Sequence, residues 1–250
     1  MPVIDRIQRG WRKAAGPFHE FGLVDGALYA VDRVLRSPST GLYVYDLMAQ
    51  PIGDQPLLMP NRLKNLRFAS IGRGHPDIDR MPARTDIKAQ RFEQGAECLG
   101  AYRNDVLIGF VWFCTPVYEE DEVRCTYRLM RPERAVFDFD MYVFPEYRMG
   151  TAFMAVWHGA NVLLHKRGIA HTFSRVTRFN LGSRRAHAQL GAVRIGVATF
   201  LKLWQLEIMV ASVSPWVAVN WQKARRIELQ ISPRAAPQHT TVPNGGPTVE

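Results

Sequence analysis

The 250-residue sequence has few cysteines and no long apolar run. Cys98, Cys114 and Cys125 lack CxxC spacing and lie in strand-like segments, so we expect buried free thiols rather than a metal site or a disulfide framework. No stretch reaches the roughly 18 consecutive apolar residues of a membrane span. The first residues carry Asp5 and Arg6 where a signal peptide needs an apolar core. These absences favour a globular protein, with a cytoplasmic location as the default expectation.

Signals for nucleic-acid and metal binding are also lacking. The formal net charge of +9 suits a phosphorylated ligand, a nucleic acid or an anionic membrane surface. However, no block of basic residues is interleaved with aromatic residues, and no helix-turn-helix or zinc-finger spacing occurs, so we expect no nucleic-acid partner. His158 and His165 have no acidic or cysteine partner at ligand spacing. We therefore expect no metal.

The most informative stretch reads as a strand, a turn and a helix. Side chains alternate from Val136 to Phe144, which predicts a strand with Asp138, Asp140 and Tyr142 on one face. After the turn at residues 145–152, apolar residues at helical spacing predict a helix that stops at Gly168. A glycine turn between a strand and a helix presents unpaired N–H groups and the positive end of the helix dipole. The pattern therefore predicts an anion-binding site.

The rest of the chain reads as alternating strands and helices. We predict strands at residues 42–52, 66–71, 97–103, 106–113, 123–130 and 171–176, with two more within 193–213. Helices are predicted at residues 18–35, 77–94 and 180–190, and the polar helix at 77–94 is suited to present a side chain at a substrate entrance. Asn104 and Asp105 predict a tight hairpin. The strand at 171–176 must run parallel to the strand at 136–144, because a crossover helix joins them.

The helix at residues 18–35 leaves two interpretations open. It has apolar residues suited to a membrane surface, but Glu20, Asp25 and Asp32 interrupt any basic face. This favours packing on the main domain over contact with a membrane.

Two motifs resemble the GNAT acyl-CoA N-acyltransferase superfamily. The first is a Val-x-Pro-Glu-Tyr-Arg phrase followed by a loop of the form [Gln/Arg]-x-x-Gly-x-[Gly/Ala], and it is matched by Val143, Pro145, Glu146, Tyr147, Arg148, Gly150 and Ala152. The second is an Asn-x-x-Ser/Ala phrase ending in Leu-Gly, and it is matched by Asn180, Ser183, Leu190 and Gly191. The sequence departs from the family at Tyr147, which takes the first loop position, and at His187, which takes the place of the family's usual tyrosine acid.

The resemblance covers about residues 66–213 and implies the fold and the domain organisation. We expect an α/β (α+β) protein with a mixed, mostly antiparallel central sheet flanked by helices. Residues 1–65 would form an N-terminal helix and strand extension that packs on the main domain, 66–213 the acyltransferase domain, 214–231 a C-terminal extension and 232–250 a disordered tail.

The resemblance also implies the site. Acyl transfer needs a base for the amine, a donor that polarises the thioester carbonyl and an acid for the leaving thiolate. The candidate catalytic residues are Asp138 and Asp140 as bases, His187 as the acid, and Tyr142 on the predicted face of the two aspartates. The carbonyl donor would be a backbone N–H near residues 142–144, exposed by a bulge in this strand. The expected CoA-binding residues are Val143, Tyr147, Arg148, Met149, Gly150, Thr151, Ala152, Asn180, Ser183 and Arg184.

The implied activity is transfer of an acyl group, most simply acetyl, from acyl-CoA to a primary amine. Alternatives are transfer of a longer acyl chain from CoA or an acyl carrier protein, and a catalytically silent CoA-binding module. For Asp138 and Asp140, structural hydrogen bonds remain the competing interpretation. For Asn180, it is the cap of its helix.

Overall fold

The computed structural model describes residues 22–232 of the chain. The helices are α1 (residues 22–35), α2 (Thr85–Glu93), α3 (Ala152–Lys166) and α4 (Leu181–Gln189). The strands are β1 (Thr40–Pro51), β2 (Leu66–Ser70), β3 (Glu97–Arg103), β4 (Val106–Cys114), β5 (Val117–Glu119), β6 (Cys125–Leu129), β7 (Ala135–Val143), β8 (His171–Thr177), β9 (Val193–Leu203), β10 (Leu206–Ala211), β11 (Val217–Asn220) and β12 (Ile227–Ile231). The tail predicted after Ser232 and the start of the first predicted helix lie outside the described residues.

Nine strands form one sheet in the order β11-β10-β9-β1-β8-β7-β4-β3-β2. Among the described strands of this sheet, only β7 and β8 pair in parallel, and α3 is their crossover. The predicted mixed, mostly antiparallel sheet flanked by helices is therefore confirmed. The predicted hairpin is also confirmed, because Asn104 and Asp105 both have positive φ between β3 and β4.

Strand β1 has a position that its place in the sequence does not suggest. It belongs to the expected N-terminal extension, yet it lies in the middle of the sheet between β8 and β9. It supplies Tyr45 and Leu47, both fully buried, to the core. Residues 40–51 are thus part of the sheet that carries the rest of the fold.

Two apolar layers cover the two faces of this sheet. Helix α3 packs on one face through Ala155, Val156 and Trp157, all fully buried. A small sheet in the order β12-β6-β5 covers the other face, where aromatic rings such as Tyr118 and Phe137 stack with centroids 4.9 Å apart. The small sheet includes β12 from the expected C-terminal extension, and neither β5 nor β12 was predicted. Among residues 22–232, no helix is long and apolar enough to cross a membrane.

The three cysteines are buried and free, as predicted. Burial raises the pKa of the Cys114 thiol to about 11, so it is protonated near neutral pH. These thiols belong to the packed interior.

Candidate active site

The parallel strands β7 and β8 separate partway along their length. They pair at Ala135 with His171, at Val136 with Thr172 and at Phe137 with Phe173. Beyond that point β7 continues to Val143 and β8 to Thr177, and no further pair joins them in the described chain. Their facing backbone groups are therefore left for another partner.

A β-bulge interrupts β7 at the edge of this opening. Phe110 of β4 pairs with Tyr142, and Trp112 pairs with Phe139, so β7 has one more residue than β4 between the two pairs. Asp140, within the bulge, has a φ of 46°. The expected bulge is therefore present in this strand.

Because of the bulge, the side chains of β7 lie on faces that differ from the predicted ones. Val136 and Val143 pack on the α3 side, whereas Phe139 and Tyr142 pack on the side of the small sheet. Asp138 alternates with Phe139 and so lies on the α3 side. The prediction that Asp138, Asp140 and Tyr142 share a face is wrong, because the extra residue reverses the alternation between them.

The bulge region directs the N–H of Val143 toward the opening. The N–H of Phe144 donates to the carbonyl of Ile108 on β4 at 3.1 Å, which removes Phe144 from the predicted range of donors. Backbone N–H groups alternate in direction along a strand, so the N–H of Val143 points the other way, toward the opening. The carbonyl of Val143 accepts a bond from Arg148 Nε at 3.0 Å.

The turn after β7 leads into the N-terminus of α3. The Gly150 N–H donates to the carbonyl of Tyr147 at 3.2 Å, and Thr151 precedes α3 without capping it through its side chain. Thr151 Oγ1 instead accepts from Arg103 Nη2 at 3.1 Å. The N–H groups of Met149, Thr151 and Ala152 have no acceptor among residues 22–232. This part of the turn therefore has the donors that an anion needs.

A cleft of about 490 Å³ lies beside the opening, between the end of β7, the start of α3 and one face of α4. Its lining residues are Met141, Tyr142, Val143, Arg148, Phe153, Asn180, Gly182, Ser183, Ala186 and His187. Six of the expected site residues are thus brought together. Sequence reasoning missed Met141, Phe153, Gly182 and Ala186, although Ala186 lies three residues after Ser183 and so shares its helix face.

The two polar residues expected on α4 differ in their surroundings. Asn180 Oδ1 accepts a bond from the Ser183 N–H at 3.0 Å, so Asn180 caps the helix while also lining the cleft. Arg184 lies on the opposite face of α4. Its Nε is 3.0 Å from Oδ2 of Asp46, a buried carboxylate of β1. The structure therefore does not bring Arg184 to the cleft.

Asp138 is a buried carboxyl at the point where β7 and β8 separate. It is 2% exposed, and its Oδ1 has no hydrogen-bond partner among the described residues. Burial raises the pKa of Asp138 to about 7, against the opposing effect of the Thr172 and Ser174 hydroxyls of β8. A carboxyl with this pKa gains and loses its proton near neutral pH, which suits a general base.

Asp140 has a different environment, since it forms an ion pair with Arg91 at the end of α2. Arg91 is buried, and its Nη2 also lies 2.6 Å from Oδ2 of Asp121. The guanidinium lies over the rings of Trp112 and Phe139. Arg91 belongs to the helix that was predicted to present a side chain at a substrate entrance, but it is buried and binds the carboxylate of the bulge.

His187 is also buried, at 5% exposure, and its ring meets Trp157 edge-on. Burial lowers the pKa of His187 to about 4, so the ring is neutral at pH 7. Its Nδ1 lies 3.2 Å from Oε1 of Gln50. With Oε1 as the acceptor, the single proton of the ring lies on Nδ1 and faces Gln50. This arrangement does not support the expected role of His187 as the acid.

Metal ligands were not expected, and no group of three or more His, Cys, Asp or Glu side chains in the described part of the chain is placed to hold a metal ion.

Comparisons with known proteins give distant structural similarities. A scan against family models gives no match, and neither does a search of curated protein sequences. Solved structures similar to this chain include GNAT acetyltransferases. One is an acetyltransferase of the GNAT family from Novosphingobium aromaticivorans, with 15% identity and a TM-score of 0.39, covering 65% of this chain and 66% of that one.

Two further solved structures have similarly low sequence identity and TM-scores. A GCN5-related N-acetyltransferase from Kribbella flavida shows 9% identity and a TM-score of 0.39, covering 65% of this chain and 60% of that one. An aminoglycoside 6′-N-acetyltransferase from Acinetobacter baumannii shows 17% identity and a TM-score of 0.38, covering 50% of this chain and 89% of that one. The chain thus spans slightly less than two thirds of the Novosphingobium and Kribbella structures.

Proposed function

We propose that the protein is an N-acyltransferase that moves an acyl group, most simply acetyl, from acyl-CoA to a primary amine by direct attack in a ternary complex. The observation that supports this proposal is the separation of β7 from β8 beside a cleft lined by Arg148 and Phe153, which flank the turn with open N–H groups. Acyl-CoA combines a pyrophosphate with a long amide-containing arm and a thioester. Such a ligand needs an anion-binding turn next to a slot with unpaired backbone groups.

The parts of acyl-CoA then have distinct partners. The pyrophosphate is held by the N–H groups of Met149, Thr151 and Ala152, with the charge of Arg148 nearby. The arm runs along the cleft between Val143 and the face of α4 that carries Ser183. The carbonyl of Val143, which accepts from Arg148 Nε, is within this slot, so binding of the arm competes with that hydrogen bond.

The chemistry follows from the groups around the opening. The amine nitrogen attacks the thioester carbon, whose oxygen is polarised by the N–H of Val143. The C–S bond breaks, and the products are an amide and the CoA thiol. Asp138 accepts the proton of the amine directly or through a water molecule, since its pKa lies near neutral pH.

Tyr142 is the proposed proton donor to the thiolate. It lines the same cleft, and its ring is fixed by stacking on Phe110 with centroids 5.6 Å apart. The guanidinium of Arg148 lies 5.3 Å from the centre of the ring, over its face. His187 is neutral and buried, which leaves the phenol as the better donor of the two.

Release of free thiol from acetyl-CoA in the presence of a panel of amines tests the proposal. We expect turnover by the wild type, a loss of about 100-fold in kcat for Asp138→Asn, and a rate that rises with pH through about 7 only when Asp138 is present. Asp105→Asn, an exposed aspartate in the β3–β4 hairpin, is the matched control and retains the wild-type rate. Turnover by Asp138→Asn at the wild-type rate would contradict the role of Asp138.

The buried, neutral state of His187 favours one further candidate, the catalytically silent CoA-binding module. Binding of acetyl-CoA without thiol release across a broad amine panel would support that module. Turnover with longer acyl-CoAs but not with acetyl-CoA would instead identify a longer-chain acyltransferase.

A further inference from the structure

Helix α1 presents an apolar stripe to solvent. Val24, Ala27, Val31 and Val34 follow at intervals of three and four residues, which places them on one face of the helix. All four are exposed; Val24 is 73% and Val34 86% exposed. Helices of globular proteins normally turn such a stripe inward. Here nothing in the described chain covers it.

The acidic residues of α1 lie on its other side. Asp25 Oδ2 lies 2.9 Å from Nε of Arg178, and Asp32, only 2% exposed, lies 2.6 Å from Arg36. In the sequence Glu20, Asp25 and Asp32 argued against a membrane-facing helix. In the structure the two aspartates form ion pairs with arginines of the protein. Between residues 22 and 35, the outward face of α1 carries aliphatic residues and the exposed Arg33. It carries no acidic residue there, because Asp25 and Asp32 lie on the other side.

An exposed tryptophan lies beside the C-terminal end of α1. Trp204, in the turn between β9 and β10, is 74% exposed, and its N–H donates to the carbonyl of Ser39 at 2.8 Å. Its φ is 54°, a conformation that glycine or asparagine adopts more easily than a bulky residue. Packing does not explain this tryptophan. Trp221, also largely exposed, directly follows Asn220, which pairs with Glu207 beside the same turn.

We propose that α1 and Trp204 form a docking surface for an anionic membrane, called here the apolar edge and made of Leu23, Val24, Val31, Val34 and Trp204. Aliphatic side chains on a surface helix enter the boundary between headgroups and acyl chains, and tryptophan favours the same region. The inference is independent of the proposed acyl transfer.

Charge distinguishes a membrane from a second copy of the chain. The net charge of +9 attracts anionic lipids, whereas two copies repel each other. In the sequence, the 21 residues before α1 carry Arg6, Arg9, Arg12 and Lys13 against Asp5 and Glu20. A net positive charge together with an apolar helix face fits a bilayer of negatively charged lipids.

The apolar edge also lies near the candidate active site. Asp25 and Tyr29 of α1 contact Arg178 and Phe179, which directly follow β8 at the end where it separates from β7. Helix α1 therefore lies next to the opening through the face opposite its apolar stripe.

Flotation of the full chain with vesicles tests the proposal. We expect binding to phosphatidylcholine vesicles that contain phosphatidylglycerol, weaker binding to phosphatidylcholine alone, and a loss of at least about tenfold in affinity for Val24→Glu with Val34→Glu. Met59→Glu, at an equally exposed methionine before β2, is the matched control and binds like the wild type. Trp204→Asn relaxes the strained turn, so it should keep or raise the melting temperature while weakening vesicle binding several-fold.

Three results would overturn the proposal. They are an absence of vesicle binding by the wild type at low salt, equal binding by the wild type and the double variant, and a dimer in light scattering that the double variant converts to a monomer without any binding to vesicles. The last result would assign the apolar edge to a second copy of the chain.

Discussion

Phe137 of β7 and Phe173 of β8 are the last residues at which the two parallel strands pair. The next residue of β7 is Asp138, so the buried carboxyl lies at the point where the sheet opens. A strand with two neighbours satisfies its backbone groups on both sides, whereas β7 keeps only β4 beyond this point. The opening and the buried acid are consequences of the same separation.

The pH dependence of stability tests the environment of Asp138. Its folded-state pKa of about 7 lies above the value of about 3.9 for a free carboxyl, so the folded protein holds this proton more tightly than the unfolded chain. The contribution of Asp138 to stability is therefore lost as pH rises from about 4 to about 7. Asp138→Asn removes this loss. We therefore expect the change in the free energy of unfolding that Asp138→Asn causes to be more favourable at pH 8 than at pH 5, by on the order of 2 to 4 kcal/mol.

Urea denaturation of both proteins at the two pH values measures this difference. An effect of Asp138→Asn that is the same at pH 5 and pH 8 would contradict the raised pKa.

His187 makes stability depend on pH in the opposite direction. Its folded-state pKa of about 4 lies below the ordinary value of about 6.5, so its contribution to stability is complete above pH 6.5 and is lost as pH falls toward 4. We expect His187→Gln to lose less stability than the wild type between pH 7 and pH 4.5, by about 1 to 3 kcal/mol. Thermal denaturation at both pH values checks this, and identical losses would show that the ring is not buried in its neutral form.

Gly150 tests the turn before α3. Gly150→Pro removes the N–H that donates to Tyr147 and restricts Met149, so we expect acetyl-CoA binding to weaken by at least about tenfold. Gly150→Ala is the matched control, because its Cβ would lie 3.6 Å from the Tyr147 oxygen, an ordinary contact. We also expect Arg148→Ala to weaken binding less than Gly150→Pro does. Equal titration curves for wild type and Gly150→Pro would exclude a role for the turn.

Gly109 tests the packing behind the bulge. It pairs with Val143, and a Cβ at this position would lie 2.7 Å from the backbone oxygen of Tyr142 and 2.9 Å from Val156. We expect Gly109→Ala to destabilise the protein by about 1 to 3 kcal/mol, measured by urea denaturation. Gly74→Ala, where a Cβ meets no atom within 4 Å, should be nearly neutral. Similar effects of the two changes would mean that β4 and β7 are not closely packed there.

Local signals in the sequence predicted much of the fold. The Asn104-Asp105 hairpin, the strand, turn and helix around Gly150, and the start of α4 at Asn180 each depend on residues close together in the chain. The departures are long-range. Nothing in residues 40–51 indicates that β1 inserts between β8 and β9, because that position depends on pairing with strands more than a hundred residues away.

The candidate site was predicted in part. The cleft residues on the turn and on α4 follow from helix and strand periodicity, but the bulge at Asp140 does not, because a regular alternation continues through it in the sequence. The direction of the aspartates on α1 likewise depends on partners such as Arg178, which a helix pattern cannot reveal. A residue's face was therefore predictable only where its strand or helix was regular.

The central claim is that acyl-CoA binds in the cleft along one face of α4, and calorimetric titration with acetyl-CoA tests it most directly. Ser183→Trp fills the cleft, whereas Ala188→Trp places the same side chain on the opposite face of the same helix. The account predicts one binding site in the wild type and in Ala188→Trp, and a loss of at least about tenfold in affinity for Ser183→Trp. An absence of binding by the wild type, or equal affinities for the two tryptophan variants, would contradict it.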